Sequence, residues 1–189
     1  DYKQAYQVYM VSSDTLKVKG IAVTPENETI NLLLGWYFVA YLKNTDNSIV
    51  SSLATLTNTN SLFICKNNAG QVYIPQYSIN TIGNMKVGQG YNMYITNPPA
   101  QLTYPANPPT KGSINTITPL PKYLIPDTKE TGNYSVVLAY TDAENYNELG
   151  AYNSNGQLVG SGCVFNGIAT IIIWGNNEET ELIEGALNN

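Results

Sequence analysis

The chain has no histidine and no arginine; its nine basic residues are all lysines. Histidine is the usual base that activates a serine or cysteine nucleophile and the commonest nitrogen ligand of zinc, so triad hydrolysis and zinc chemistry are disfavoured. Cysteine is nearly as scarce. Cys65 and Cys163 are the two present, too few for a disulfide framework, and a single bridge between them stands beside the reading of two separate buried thiols. Charge is thin, at 12% of residues against the usual ~25%. With a net charge of −5, the sequence lacks the clustered cations that phosphate neutralisation or an anionic membrane surface requires. Nucleic acid is therefore not expected as a partner. No apolar run reaches the ~18 residues of a spanning helix, so membrane insertion is not expected. No signal peptide stands at Asp1, so a secreted chain would be a processed or excised segment.

What is there is apolar and uncharged-polar. Hydrophobic residues make up 43% of 189, enough for one large or two small globular domains with real cores. Surface polarity has to come from Asn, Thr, Ser and the 15 tyrosines. A surface of that kind is rich in neutral hydrogen-bonding groups and suits an extracellular or structural protein.

The hydrophobic pattern is mostly of period two. "QAYQVYMV" and "DTLKVKGIAV" read as a strand pair, and "NLLLGWYFVAYL" as an apolar strand with a bulge or kink at Gly35. The best helix is "NSIVSSLATL", with Ser48 as its cap and Ile49, Leu53 and Leu56 on one face. "LFICKNNAGQVYIP" gives strand, turn and strand, and Gly88 and Gly90 set a tight turn before "YNMYI". "YPANPPTKGSINTITPLPKYL" holds half of the ten prolines and reads as a semi-rigid spacer. Beyond it, "NYSVVLAY", "NELGAYN", "QLVGSGCVF" and "ATIIIWG" follow at near ten-residue spacing, the rhythm of a sandwich.

The opening segment also repeats the middle of the chain. Tyr6 aligns with Tyr91, Tyr9 with Tyr94 and, after a one-residue gap, Leu16 with Leu102; Ala5 takes the place of Gly90. Gly35-Trp36, the run Lys66 to Pro75 ("KNNAGQVYIP"), Ile79 to Gly83 ("INTIG"), Gly88 to Tyr91 ("GQGY") and Leu102 to Pro105 ("LTYP") together resemble a repeat module. It is similar to one found in large secreted multi-domain surface proteins of Bacteroidetes-type bacteria and in some tail-fibre-like proteins. The stretch from Asn147 to Ala186 likewise resembles the β-sandwich module that follows such repeats. The resemblance implies a surface setting with adhesive or scaffold roles, and carries no catalytic residues with it.

The candidate sites are few. The Gly88-Gln89-Gly90 turn lacks the Lys-Ser/Thr pair and following helix of a phosphate loop, and reads as structure. Asp142, Glu144 and Glu148, or Glu178, Glu179, Glu181 and Glu184, offer carboxylates for an acid-pair hydrolase, although runs of this kind are usually solvated. Asp142, Glu144, Asn145, Asn147 and Glu148 would be the ligands if calcium were bound; no other cofactor is expected. Trp36, Tyr37 and Tyr41, or Tyr146 and Tyr152, are a candidate sugar platform, against the plainer reading of tyrosines on half-exposed strands. "NET" at Asn27 and "NYS" at Asn133 match the N-glycosylation pattern.

Taken together, the residues predict a mainly β protein. A β-rich module over 1–105 carries one short helix and a leading strand left from a preceding repeat; a Pro-rich linker covers 106–122; a β-sandwich module covers 123–189. The expected function is non-catalytic: an extracellular or cell-surface structural or adhesive protein, or a virion tail fibre. Tyr6, Val8 and Met10 would be a strand donated to the sheet edge of another copy, so head-to-tail homo-oligomers or filaments are the expected partners, beside other surface proteins and glycans. The alternative is a carbohydrate-binding module of a larger secreted protein.

Overall fold

The computed structural model describes residues 1–8, 10–12, 15, 17, 19–21, 23–106, 119–127, 133–142, 147–176 and 186. The fold is mainly β, with several antiparallel sheets. Packing divides the chain into two compact units: Asp1–Asn67 with Tyr73–Pro75 and Ile82–Thr116, and Asn68–Val72 with Gln76–Thr81 and Ile117–Asn189. Most of the Pro-rich stretch lies outside the described residues.

In chain order the elements are β1 (Thr29–Leu32), β2 (Gly35–Ala40), β3 (Asn47–Ser48), α1 (Ile49–Ser52), α2 (Ala54–Thr57), β4 (Leu62–Lys66), β5 (Val72–Ile74), β6 (Ile79–Asn80), β7 (Asn84–Met85), β8 (Gly90–Ile95) and β9 (Ala100–Thr103). A five-stranded sheet runs β2-β8-β4-β5-β6, and β1 with β9 and β3 with β7 form two-stranded ladders. Strand alternation decides which side chains go inside. Along β8, Tyr91, Met93 and Ile95 are buried while Asn92 and Tyr94 point the other way. The inward set joins Leu32, Leu53, Leu56, Met85, Leu102 and Tyr104 in one core.

The helix forms where its cap predicts, but as two pieces. Ser48 Oγ accepts the N–H of Ser51 at 3.4 Å, and Ile49, Leu53 and Leu56 are all fully buried. The hydrogen bonding tightens at Leu53, whose carbonyl takes the N–H of both Leu56 and Thr57 at 3.0 Å. An i→i+3 turn of this kind separates α1 from α2.

The second unit adds β10 (Tyr134–Tyr140), β11 (Glu148–Tyr152), β12 (Leu158–Phe165) and β13 (Ile168–Trp174) in one antiparallel sheet of order β10-β13-β12-β11. Val159, Ala169, Ile171 and Trp174 are the buried apolar residues of that sheet. β10 and β11 are the two edges, and among the described residues β10 has a ladder only with β13.

The predicted strand pair at the start of the chain is replaced by something smaller. No described residue from Ala5 to Thr24 lies in a strand. Gln4 forms an isolated antiparallel bridge with Val39, the Ala5 N–H donates to Phe38 O at 3.0 Å, and the Ala40 N–H donates to Lys3 O at 3.1 Å. Lys3–Ala5 thus strap the outer edge of β2.

Candidate functional site

Two surfaces of the first unit carry chemistry. The first is the opening segment. Its root is fastened: Lys3 Nζ donates to Thr29 O at 2.9 Å and pairs with Glu28 at 2.9 Å, and Tyr2 Oη donates to the same carboxylate at 2.7 Å. Those two contacts hold the Glu28 carboxyl below its ordinary range, Tyr2 contributing most. Beyond the strap, Tyr6, Val8 and Met10 are 64%, 68% and 50% exposed. Apolar side chains at alternate positions with that much surface are costly to leave in water.

The second is the outer face of the sheet where β2, β8 and β4 lie side by side. The register sets Trp36 opposite Tyr94 and Phe38 opposite Asn92, and on the other side of β8 it sets Lys66 opposite Asn92. The Trp36 and Tyr94 rings lie 5.1 Å apart, tilted by 54°, and Tyr94 meets Phe63 edge to face at 6.3 Å. The Lys66 ammonium sits 4.6 Å from the centre of the Trp36 ring, and partial burial pulls its pKa down. Trp36 remains 51% exposed.

The other candidate aromatics go elsewhere. Tyr37, next to Trp36 on the strand, turns to the opposite face, packs against the core and accepts the Leu33 N–H at 3.0 Å. Tyr41 is buried edge-to-face against Tyr91 and Tyr104, with centroids at 6.4 and 5.4 Å. Tyr152 is exposed at the end of β11, beyond a register shift after Ala151. Tyr146 lies outside the described residues. The structure therefore brings Trp36 together with Tyr94, Phe63, Phe38, Asn92 and Lys66, none of them singled out from the sequence. Alternation along "GYNMYI" marks Tyr94 as outward, but only the register between strands far apart in sequence puts it beside Trp36.

Among the acidic candidates, Glu144 and Asn145 and the set Glu178, Glu179, Glu181 and Glu184 lie outside the described residues. Glu148 is engaged by the chain itself. Its carboxylate accepts the N–H of Lys122 at 2.6 Å, of Leu124 at 2.8 Å and of Tyr123 at 3.0 Å. Three successive amides make a small anion-binding concavity, and they hold the Glu148 carboxyl below its ordinary range, the Lys122 amide contributing most. No group of three or more His, Cys, Asp or Glu that could hold a metal ion occurs among the described residues. Both cysteines are free, Cys65 in the core with its thiol pushed far up by burial, and Cys163 half-buried on β12.

No protein-family model, curated protein or solved structure matches the chain.

Proposed function

We propose that this is a non-catalytic structural or adhesive protein of a cell or virion exterior, and that it assembles by β-strand addition between copies. The observation that carries this reading is the exposure of Tyr6, Val8 and Met10, at alternate positions, on a segment without a strand partner among the described residues. A strand's pattern without a sheet is what a donor looks like before it is received. The acceptor is the edge of β10, seven residues long and, among the described residues, laddered only with β13. Its outward N–H and C=O groups would gain a ladder from the incoming segment. Donor and acceptor are different surfaces, so the contact is head-to-tail, and repetition gives open fibres unless a ring closes. The low charge content and the resemblance to secreted surface modules support an exterior setting.

Light scattering and negative-stain imaging of the whole chain test this directly. Filaments or large oligomers are expected for the unchanged protein, and a monomer for V8D/M10D, which puts carboxylates on the donated face. A synthetic peptide of residues 4–12 (QAYQVYMVS) is expected to shorten the assemblies by capping the acceptor edge. A monomeric unchanged chain, or filaments indifferent to both V8D/M10D and the peptide, would overturn the reading.

A further inference from the structure

We propose that the outer face of β2, β8 and β4 is a binding site for a carboxylate-bearing saccharide, with Trp36 as the stacking ring and Lys66 as the anion contact. The inference is separate from assembly, since it rests on Trp36 and Lys66 and not on Tyr6, Val8 and Met10.

Three observations point to that ligand class. The first is the ring itself: the indole of Trp36 keeps half of its surface open on a regular strand, while Tyr94 and Phe63 hold each other and the indole in fixed tilted contact. The C–H groups of a pyranose face carry slight positive charge, and they meet the negative face of an indole with both attraction and burial. The second is the cation. Lys66 holds its ammonium over the same ring, 4.6 Å from its centre, so a sugar that stacks on the indole moves the flexible lysine aside and places its carboxylate within reach of it. The third is the composition of the surround: β2, β8 and β4 ("GWYFVA", "GYNMYI" and "LFICK") contain no acidic residue, although the chain as a whole carries a net −5. Lys66 is the one charged side chain of these three strands, a positive group on an acidic protein, which favours an anionic guest over a neutral one, while the net negative charge disfavours binding of polyanions elsewhere. Asn92, opposite both Phe38 and Lys66, adds an amide for hydroxyl groups. A flat apolar ring with a few placed polar groups is the recurrent plan of small-molecule recognition.

The test titrates the full chain with oligogalacturonate, its methyl ester and poly-glutamate, following calorimetry and tryptophan fluorescence. Trp36 is the exposed indole and Trp174 the buried one, so a change in emission on binding reports Trp36. Saturable binding of the oligogalacturonate is expected, about tenfold or more weaker in Trp36→Ala and partly restored in Trp36→Phe, which keeps an aromatic face. In Lys66→Met the acid and its ester are expected to bind alike, while the ester binds the unchanged protein more weakly than the acid. Matching circular dichroism and thermal midpoints show that these substitutions leave the fold intact. The proposal is overturned by an unchanged affinity in Trp36→Ala, by equal binding of acid and ester in the unchanged protein, by poly-glutamate binding as well as the saccharide, or by no saccharide binding at all.

Discussion

Gly90 shows how far one missing side chain can reach. A Cβ at that position would run into the methyl group of Ala5 and come 3.1 Å from the Phe38 ring. Ala5 has no flexible end that could swing away, so either the strap or β8 must shift. Gly90→Ala is expected to cost about 1–3 kcal/mol and to loosen Lys3–Ala5 from β2, read as faster hydrogen exchange of the Ala5 and Ala40 amides, both of which are bonded across that edge. Adding Ala5→Gly removes the opposing methyl and is expected to recover most of the loss, giving a clear coupling in a double-mutant cycle. Unchanged protection in Gly90→Ala would mean that the strap does not depend on this contact. The same two positions align with each other when the opening segment is laid over the middle of the chain. Sequence similarity alone gave no sign that they touch.

Among the elements, those built by local rules were legible and those built by distant partners were not. β4, the turn and β5, then β8, and β10 to β13 follow from period-two alternation and from Asn and Gly at the turns. The helical stretch followed from Ser48 and its buried face, although the break at Leu53 did not. The opening strand pair is not found because alternation states what a segment can do, whereas a strand also needs a neighbour; among the described residues of that segment Gln4 alone forms a bridge. The sheet face around Trp36 was half legible for the same reason: the ring is visible in sequence, its companions depend on register. Glu148 belongs to this scale too, since it ties β11 to the segment Lys122–Leu124 through backbone amides that no motif announces. Its folded pKa lies below the ordinary value of 4.5. The clamp therefore contributes fully above about 4.5 and is lost as pH falls through the lower, folded value. Amide shifts and exchange of Lys122, Tyr123 and Leu124 are expected to follow that acid titration and to be perturbed at every pH in Glu148→Gln. Amides that stay indifferent to both would show that the carboxylate is not what holds the segment.

For the whole molecule, alkali is the informative direction. Burial raises Tyr41 and Tyr91 to about 12, and raises Tyr104 well above its ordinary value. These three rings pack edge to face in the first unit's core, and their hydroxyls are used: Tyr41 donates to Thr45 O and Tyr104 to Ala40 O, while Tyr91 accepts the Lys86 N–H. Above pH 10 the unfolded chain loses these protons and the folded chain keeps them, so stability falls as pH rises. By pH 12 the loss is about 2–3 kcal/mol for Tyr41 and the same for Tyr91. Lys43, whose ammonium is buried on the carbonyls of Pro105 and Ala106, works in the opposite sense, because burial lowers its pKa and deprotonation relieves the folded state. The tyrosines outnumber it, and denaturation midpoints are expected to drop steeply between pH 10 and 12. The exposed tyrosines ionise first, and the last part of the tyrosinate absorbance should appear only with unfolding. Absorbance that reaches its full height while the fold persists would place these hydroxyls in contact with water.

The free state of both cysteines has a mechanical meaning. No covalent cross-link shortens the path between the ends of the sequence, so under tension every one of the 189 residues is available to be drawn out. Fully extended, that is a contour of roughly 620–680 Å. Pulled out, such a chain yields its length against hydrogen bonds and buried surface alone, with no covalent stop along the way.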